Sequence, residues 1–241
     1  MNNTKKNKVN NNFGRKGWGI ILYCAILMYF GGAINTYGGS QFSNQIAQLR
    51  GWDYASILKY FTYGGWIGVV ISILAAAVIN KKGAKFVAII GLVCGGLAVG
   101  LIGFASTQFS YAACIIVSSC ALVAYSSLVP NTLMNSWFPK TKGIALGWST
   151  MGYPAADVFF TSMFLLLISF GVKQGFVALG FMLIIVAICT KLFVKNTPEE
   201  ANAYPDNDRS ISKEELEKNA IALKSYKSDW TIVNGKPQVL H

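Results

Sequence analysis

Asp157 and Asp53 are the only acids in the first 195 residues of this 241-residue chain, and only Asp157 falls inside an apolar run. It lies about 14 residues into its run, or about 21 Å along a helix axis. An ionisable group at that depth is costly and faces a cavity or a partner. Two uses stay open: a cavity-lining carboxylate for a cation or proton, or a structural carboxylate bonded to a neighbouring helix. Ser149, Tyr153, Asp157 and Thr161 recur at i+4 and form one polar stripe. Pro154 removes one backbone hydrogen bond and frees the Thr150 carbonyl. A second polar cluster is Asn35, Thr36, Tyr37, Ser40 and Gln41. A third is Ser127, Asn131 and Asn135, with Pro130 as a kink. Such residues either join helices or line a watery path.

Other chemistry is poorly supplied. The single histidine is His241, so the apolar runs offer no His-based triad, zinc site or proton relay. There is no Walker A sequence, and one Asp cannot make an aspartyl-protease pair. Cys24, Cys94, Cys114, Cys120 and Cys189 form no C-x-x-C motif and read as small packing residues. The chain is expected not to be an enzyme and to hold no metal or cofactor.

The elements that position these residues are long apolar runs. Hydrophobic residues make up 53% of the chain and charged ones 13%, about half the globular norm. Six runs are long enough to span a bilayer: about 18–41, 57–79, 86–105, 109–136, 144–169 and 174–194. Gly64/Gly68, Gly91/Gly95 and Gly143/Gly147 are spaced for close helix approach. The +11 charge sits between these runs, which points to membrane flanks and not to nucleic acid. Every second connection is basic: Lys5, Lys6, Lys8, Arg15 and Lys16; then Lys81, Lys82 and Lys85; Lys140 and Lys142; Lys191 and Lys195. The alternate connections carry Arg50, none and Lys173. Both termini are therefore expected in the cytoplasm. Trp18, Trp52 and Trp137 read as interfacial anchors. The organisation is a basic tail (1–17), a six-helix bundle (18–195) and a polar tail (196–241). In that tail Pro205-Asp-Asn-Asp reads as a turn, and Ser212-x-x-Glu215 resembles a capping box opening a helix of about 212–226.

Two motifs resemble a known family. Asn135-Ser-Trp-Phe-Pro-Lys-Thr-Lys-Gly-Ile-Ala-Leu-Gly147 is similar to the span 4–5 loop of the major facilitator superfamily, in its oxalate/formate antiporter (monocarboxylate carrier) branch. Asn196-Thr-Pro-Glu-Glu-Ala-Asn-Ala-Tyr-Pro-Asp-Asn-Asp208 resembles the start of that branch's central loop. The superfamily's 2–3 loop signature is matched by Lys81, Gly83 and Lys85, while Ala76 and Asn80 replace its Gly and Asp. The resemblance implies an all-α polytopic membrane protein, the N-terminal six-helix half of a twelve-helix carrier. It implies alternating-access transport of small organic anions such as mono- or dicarboxylates in the cell membrane. Expected partners are the anionic substrate, the bilayer and a second six-helix half, either a C-terminal half or another copy. The path would be lined by Asn35, Tyr37, Gln41, Asn131, Tyr153 and Asp157, with Asn80, Lys81, Gly83 and Lys85 as a gating loop. Spans 3 and 6 would face lipid. The alternative is a non-transporting membrane module: a sensor, an assembly subunit or an inactive remnant.

Overall fold

The structure, a computed structural model, describes residues 13–208 together with 232–233 and 236–237. The expected helix of 212–226 lies outside the described residues. Six helices are long and apolar enough to cross a membrane: span 1, Gly14–Asn35; span 2, Tyr54–Lys82; span 3, Ala84–Ile102; span 4, Gln108–Trp137; span 5, Lys142–Ser169; span 6, Val172–Phe193. The chain is an all-α, multi-pass membrane protein built as a six-helix bundle. The described strands are one two-residue antiparallel ladder, Ile232 opposite Pro237 and Val233 opposite Lys236.

Local chemistry sets the helix ends. The Asp53 carboxylate accepts from the Ser56 amide at 2.8 Å and opens span 2 three residues before its apolar run. Thr107 and Ser110 cap the first turn of span 4 reciprocally. Spans 2 and 3 are joined by Gly83 alone, at φ +87°, a conformation only glycine adopts cheaply. Span 1 runs well past its apolar stretch. It continues through a π-helical segment, Ala33–Phe42, into Ser43–Arg50. That extension is polar on average but buries Phe42 and Ile46, and Ser43 shares a 2.8 Å hydrogen bond with the Tyr111 hydroxyl of span 4.

Between membrane helices burial releases little transfer free energy, because lipid is as apolar as leucine. Close packing and interhelical hydrogen bonds hold the bundle instead. Span 1 is the most buried helix, lying against spans 4 and 5. A Cβ added at Gly152 would lie 2.1 Å from the Ala25 carbonyl oxygen, so spans 1 and 5 cross with backbones touching. Gly64 and Gly68 meet Ser119 and Val123 of span 4, and Gly91 and Gly95 meet Ala121 and Tyr125. Gly143 and Gly147 meet nothing, so the third expected glycine pair joins no helix. Spans 3 and 6 pack tightly on each other, with Gly180 against the Gly96 carbonyl. Span 6 still leaves much of its surface uncovered, and spans 2 and 5 leave the most. Uniform apolarity does not distinguish a lipid face from a helix seam, because both exclude charge.

The basic end is closed by residues 194–208, which fold back beneath the bundle. Asn196 Oδ1 accepts from the Lys85 amide at 2.8 Å, and the Lys85 ammonium donates to the Lys191 carbonyl at 2.8 Å. The Lys16 ammonium donates to the carbonyls of Ala201 (2.6 Å) and Asn202 (3.3 Å). Asp206, at φ +53°, is 6% exposed. Its carboxylate accepts from the amides of Lys140 (2.8 Å) and Thr141 (2.9 Å) and from the Thr141 hydroxyl (2.5 Å). Those amides open span 5, so the carboxylate also neutralises the positive end of that helix. Lys140 pairs with Asp208 at 2.8 Å, the only salt bridge among the described residues. This hydrogen-bonded carboxylate holds the Lys140 ammonium above the ordinary lysine pKa. Trp137 is 3% exposed and donates to the Lys195 carbonyl at 3.3 Å. It is a buried strut and not an interfacial anchor, whereas Trp18 is exposed and lies edge-on to Trp148.

Candidate functional site

The π-helical segment of span 1 brings one full set of polar side chains to span 5. A π turn carries one extra residue per hydrogen-bonded ring, which re-aims the side chains that follow it. Tyr37 thereby donates to the Asp157 carboxylate at 3.3 Å and to the Asp157 carbonyl at 3.2 Å. Four residues on, Gln41 donates to the Thr161 hydroxyl at 3.2 Å. The Tyr37 ring stacks on Phe160 with centroids 5.8 Å apart. Two rungs, one turn apart, thus join the continuation of span 1 to span 5. Asp157 itself stays exposed on the bundle's uncovered side. This arrangement makes a carboxylate that is exposed and at the same time hydrogen-bonded to the Tyr37 phenol across the span 1–span 5 contact.

The remaining sequence candidates distribute differently. Tyr153 lies against Gly32 of span 1 and interacts with Ser126 of span 4. Asn35 is exposed, on the same π segment as Tyr37. The Asn131 amide donates to Ser127 of its own helix at 2.8 Å and reaches no other span. The polar stripe of span 5 is split. Ser149 is fully buried between the Ala145 carbonyl (3.0 Å) and the Ile21 carbonyl of span 1 (3.5 Å), whereas Asp157 and Thr161 meet the π segment Ala33–Phe42. Span 5 breaks at Met151, three residues before Pro154, as the lost hydrogen bond predicts. Of the loop candidates, Gly83 and Lys85 are tied to Asn196, while Asn80 and Lys81 are exposed.

No family model and no curated protein matches this chain. Two features of the site do not show in the sequence pattern as path residues. One is Thr161, the acceptor of the second rung; its place in the stripe was the available signal. The other is Tyr125, fully buried in the π-helical segment Val123–Leu128 of span 4. Its hydroxyl finds no hydrogen-bond partner among the described residues. An orphaned buried hydroxyl is rare and costly. Nothing in residue type or spacing marks it, because it arises from the local change of helix register.

Proposed function

We propose that the chain is a secondary active transporter of small organic anions, such as mono- or dicarboxylates, working by alternating access as one six-helix half of a major facilitator-type carrier. The observation that carries the reading is the Tyr37–Asp157 and Gln41–Thr161 pair of rungs on the uncovered side of an otherwise apolar bundle. π segments in both spans 1 and 4, the spans that also hold the polar clusters, support it. Such segments concentrate at functional sites. In this reading Asp157 takes up a proton or cation, and its change of charge loosens or tightens the Tyr37 contact as the half rocks. It supplies coupling and not substrate attraction. The cation for a carboxylate comes from the second half, since Lys59 of span 2 lies over the Tyr60 ring, 5.5 Å from its centroid. On this reading the protein is a carrier and not an enzyme.

The test uses Asp157→Asn, which keeps shape and removes charge. In proteoliposomes holding the chain and a second six-helix half, the parent should show saturable carboxylate counterflow. The variant should lose it or shift its pH dependence, with melting in detergent within a few degrees of the parent. If the bonding role is purely structural, the variant melts clearly lower and counterflow is untouched. That result would return Asp157 to packing.

Sidedness is a separate expectation, with the basic end cytoplasmic and the protein in the cell membrane. Ser106 and Lys142 are exposed at opposite ends of the bundle. In a background lacking the native cysteines, Ser106→Cys should react with an impermeant thiol reagent in intact cells. Lys142→Cys should react only after permeabilisation; the reverse pattern overturns the orientation.

A further inference from the structure

A groove of about 490 Å³ runs along the surface between spans 1 and 6 at the basic end. Its walls are Leu22, Ile26 and Phe193, all exposed to the lipid side. Its floor is closed by Trp137 and by the 2.9 Å hydrogen bond between Tyr23 and Thr190. Two lysines, Lys16 and Lys195, stand at its mouth, and no acid lines it. Neither lysine forms a salt bridge among the described residues. Lys16 spends two of its three N–H donors on the Ala201 and Asn202 carbonyls, which leaves one. The Lys195 side chain makes no hydrogen bond among the described residues, although its backbone carbonyl is held by Trp137. At Gly19, on the groove wall, an added Cβ would meet nothing within 4 Å.

We propose that this groove is a binding site for an anionic phospholipid. The phosphate sits between Lys16 and Lys195, and an acyl chain runs down the Leu22, Ile26 and Phe193 wall. The geometry matches what such a lipid presents in the bilayer: negative charge at the interface and hydrocarbon directly below it. Basic pockets between helices at a membrane's charged face recognise anionic headgroups for this reason. A zwitterionic lipid fits the apolar wall equally well but brings its own cation toward the two ammonium groups. Bound there, the lipid bridges span 1 to the segment after span 6, because Lys16 and Lys195 belong to those two elements.

The experiment is native mass spectrometry of the full chain in detergent, titrated with phosphatidylglycerol and phosphatidylcholine of identical acyl chains. Phosphatidylglycerol should bind more tightly by about fivefold for each lysine. Lys195→Gln should lose about fivefold with unchanged melting, because its side chain holds nothing else. Lys16→Gln/Lys195→Gln should bind both lipids alike. Gly19→Leu should weaken both lipids by filling the groove, which keeps the test independent of the lysines. Lys173→Gln, at the opposite end, should change nothing. Equal binding of the two lipids by the parent overturns the proposal, as does a preference that survives both the double variant and Gly19→Leu. An equal loss in Lys173→Gln would reduce it to general charge. Full competition by soluble glycerol phosphate would make the site one for a free anion, and the lipid assignment would fall.

Discussion

Gly152→Ala is expected to unfasten spans 1 and 5 and to cost about 3 kcal/mol or more. The new methyl would sit 2.1 Å from the Ala25 carbonyl oxygen and 2.8 Å from the Tyr29 amide nitrogen, both backbone atoms that no rotamer change can move. The helices must part along their whole crossing. Tyr153, the next residue of span 5, and Gly32, three residues past Tyr29 on span 1, then separate, and the Tyr37 and Gln41 rungs lengthen. At about 2–4 °C per kcal/mol for a chain of this size, melting in detergent should fall by roughly 6–12 °C. Gly147→Ala is the control. It lies in the same span, meets nothing within 4 Å, and should leave the melting point unchanged or raise it through helix propensity. If both variants melt alike, the close crossing does not hold the bundle together.

Asp206→Ala should open the basic end. It strands the amides of Lys140 and Thr141 and the Thr141 hydroxyl, all of which now point at one carboxylate. A bond to a charged group contributes about 1.5–3 kcal/mol, and buried groups left unpaired cost at least as much again as a neutral bond. We expect a loss of about 3–5 kcal/mol. Protease cleavage near the 4–5 loop should then become rapid, and the Lys140–Asp208 pair should no longer form. Asp206→Asn keeps one acceptor oxygen and should recover roughly half of the loss. Asp208→Asn removes the charge from the exposed pair with Lys140 and should cost far less than Asp206→Ala. Equal losses in Asp206→Ala and Asp208→Asn would show that the buried carboxylate is not what closes the loop.

The six spans were legible because a bilayer demands long unbroken apolar runs, and the runs here contain almost no charge. The extension of span 1 to Arg50 was not. Residues 43–50 are too polar to read as membrane, and their helix is kept by Phe42, Ile46 and the Ser43–Tyr111 bond, which are tertiary facts. The site divides in the same way. Tyr37, Gln41 and Asp157 stood out by residue type against an apolar background. Their pairing depends on the π register of Ala33–Phe42, which leaves no mark in composition or spacing. Asn131 stood out equally and turned back to its own helix. The turn at 205–208 could be read from its residues. Its landing place on the start of span 5 could not, because 65 residues separate Asp206 from Thr141.

That landing place changes where the chain is tethered. Span 6 ends at Phe193, yet the polypeptide does not leave the bundle there; it is fastened at Asn196, Ala201, Asp206 and Asp208 before it goes on. Whatever hangs from residue 208 onward is moored under the mouth of span 5, not under span 6. A pull on the following chain is borne first by the Lys140–Asp208 pair and the Asp206 carboxylate. Load would thus reach the half of the bundle that holds Asp157 before it reaches the helix to which that chain is covalently joined.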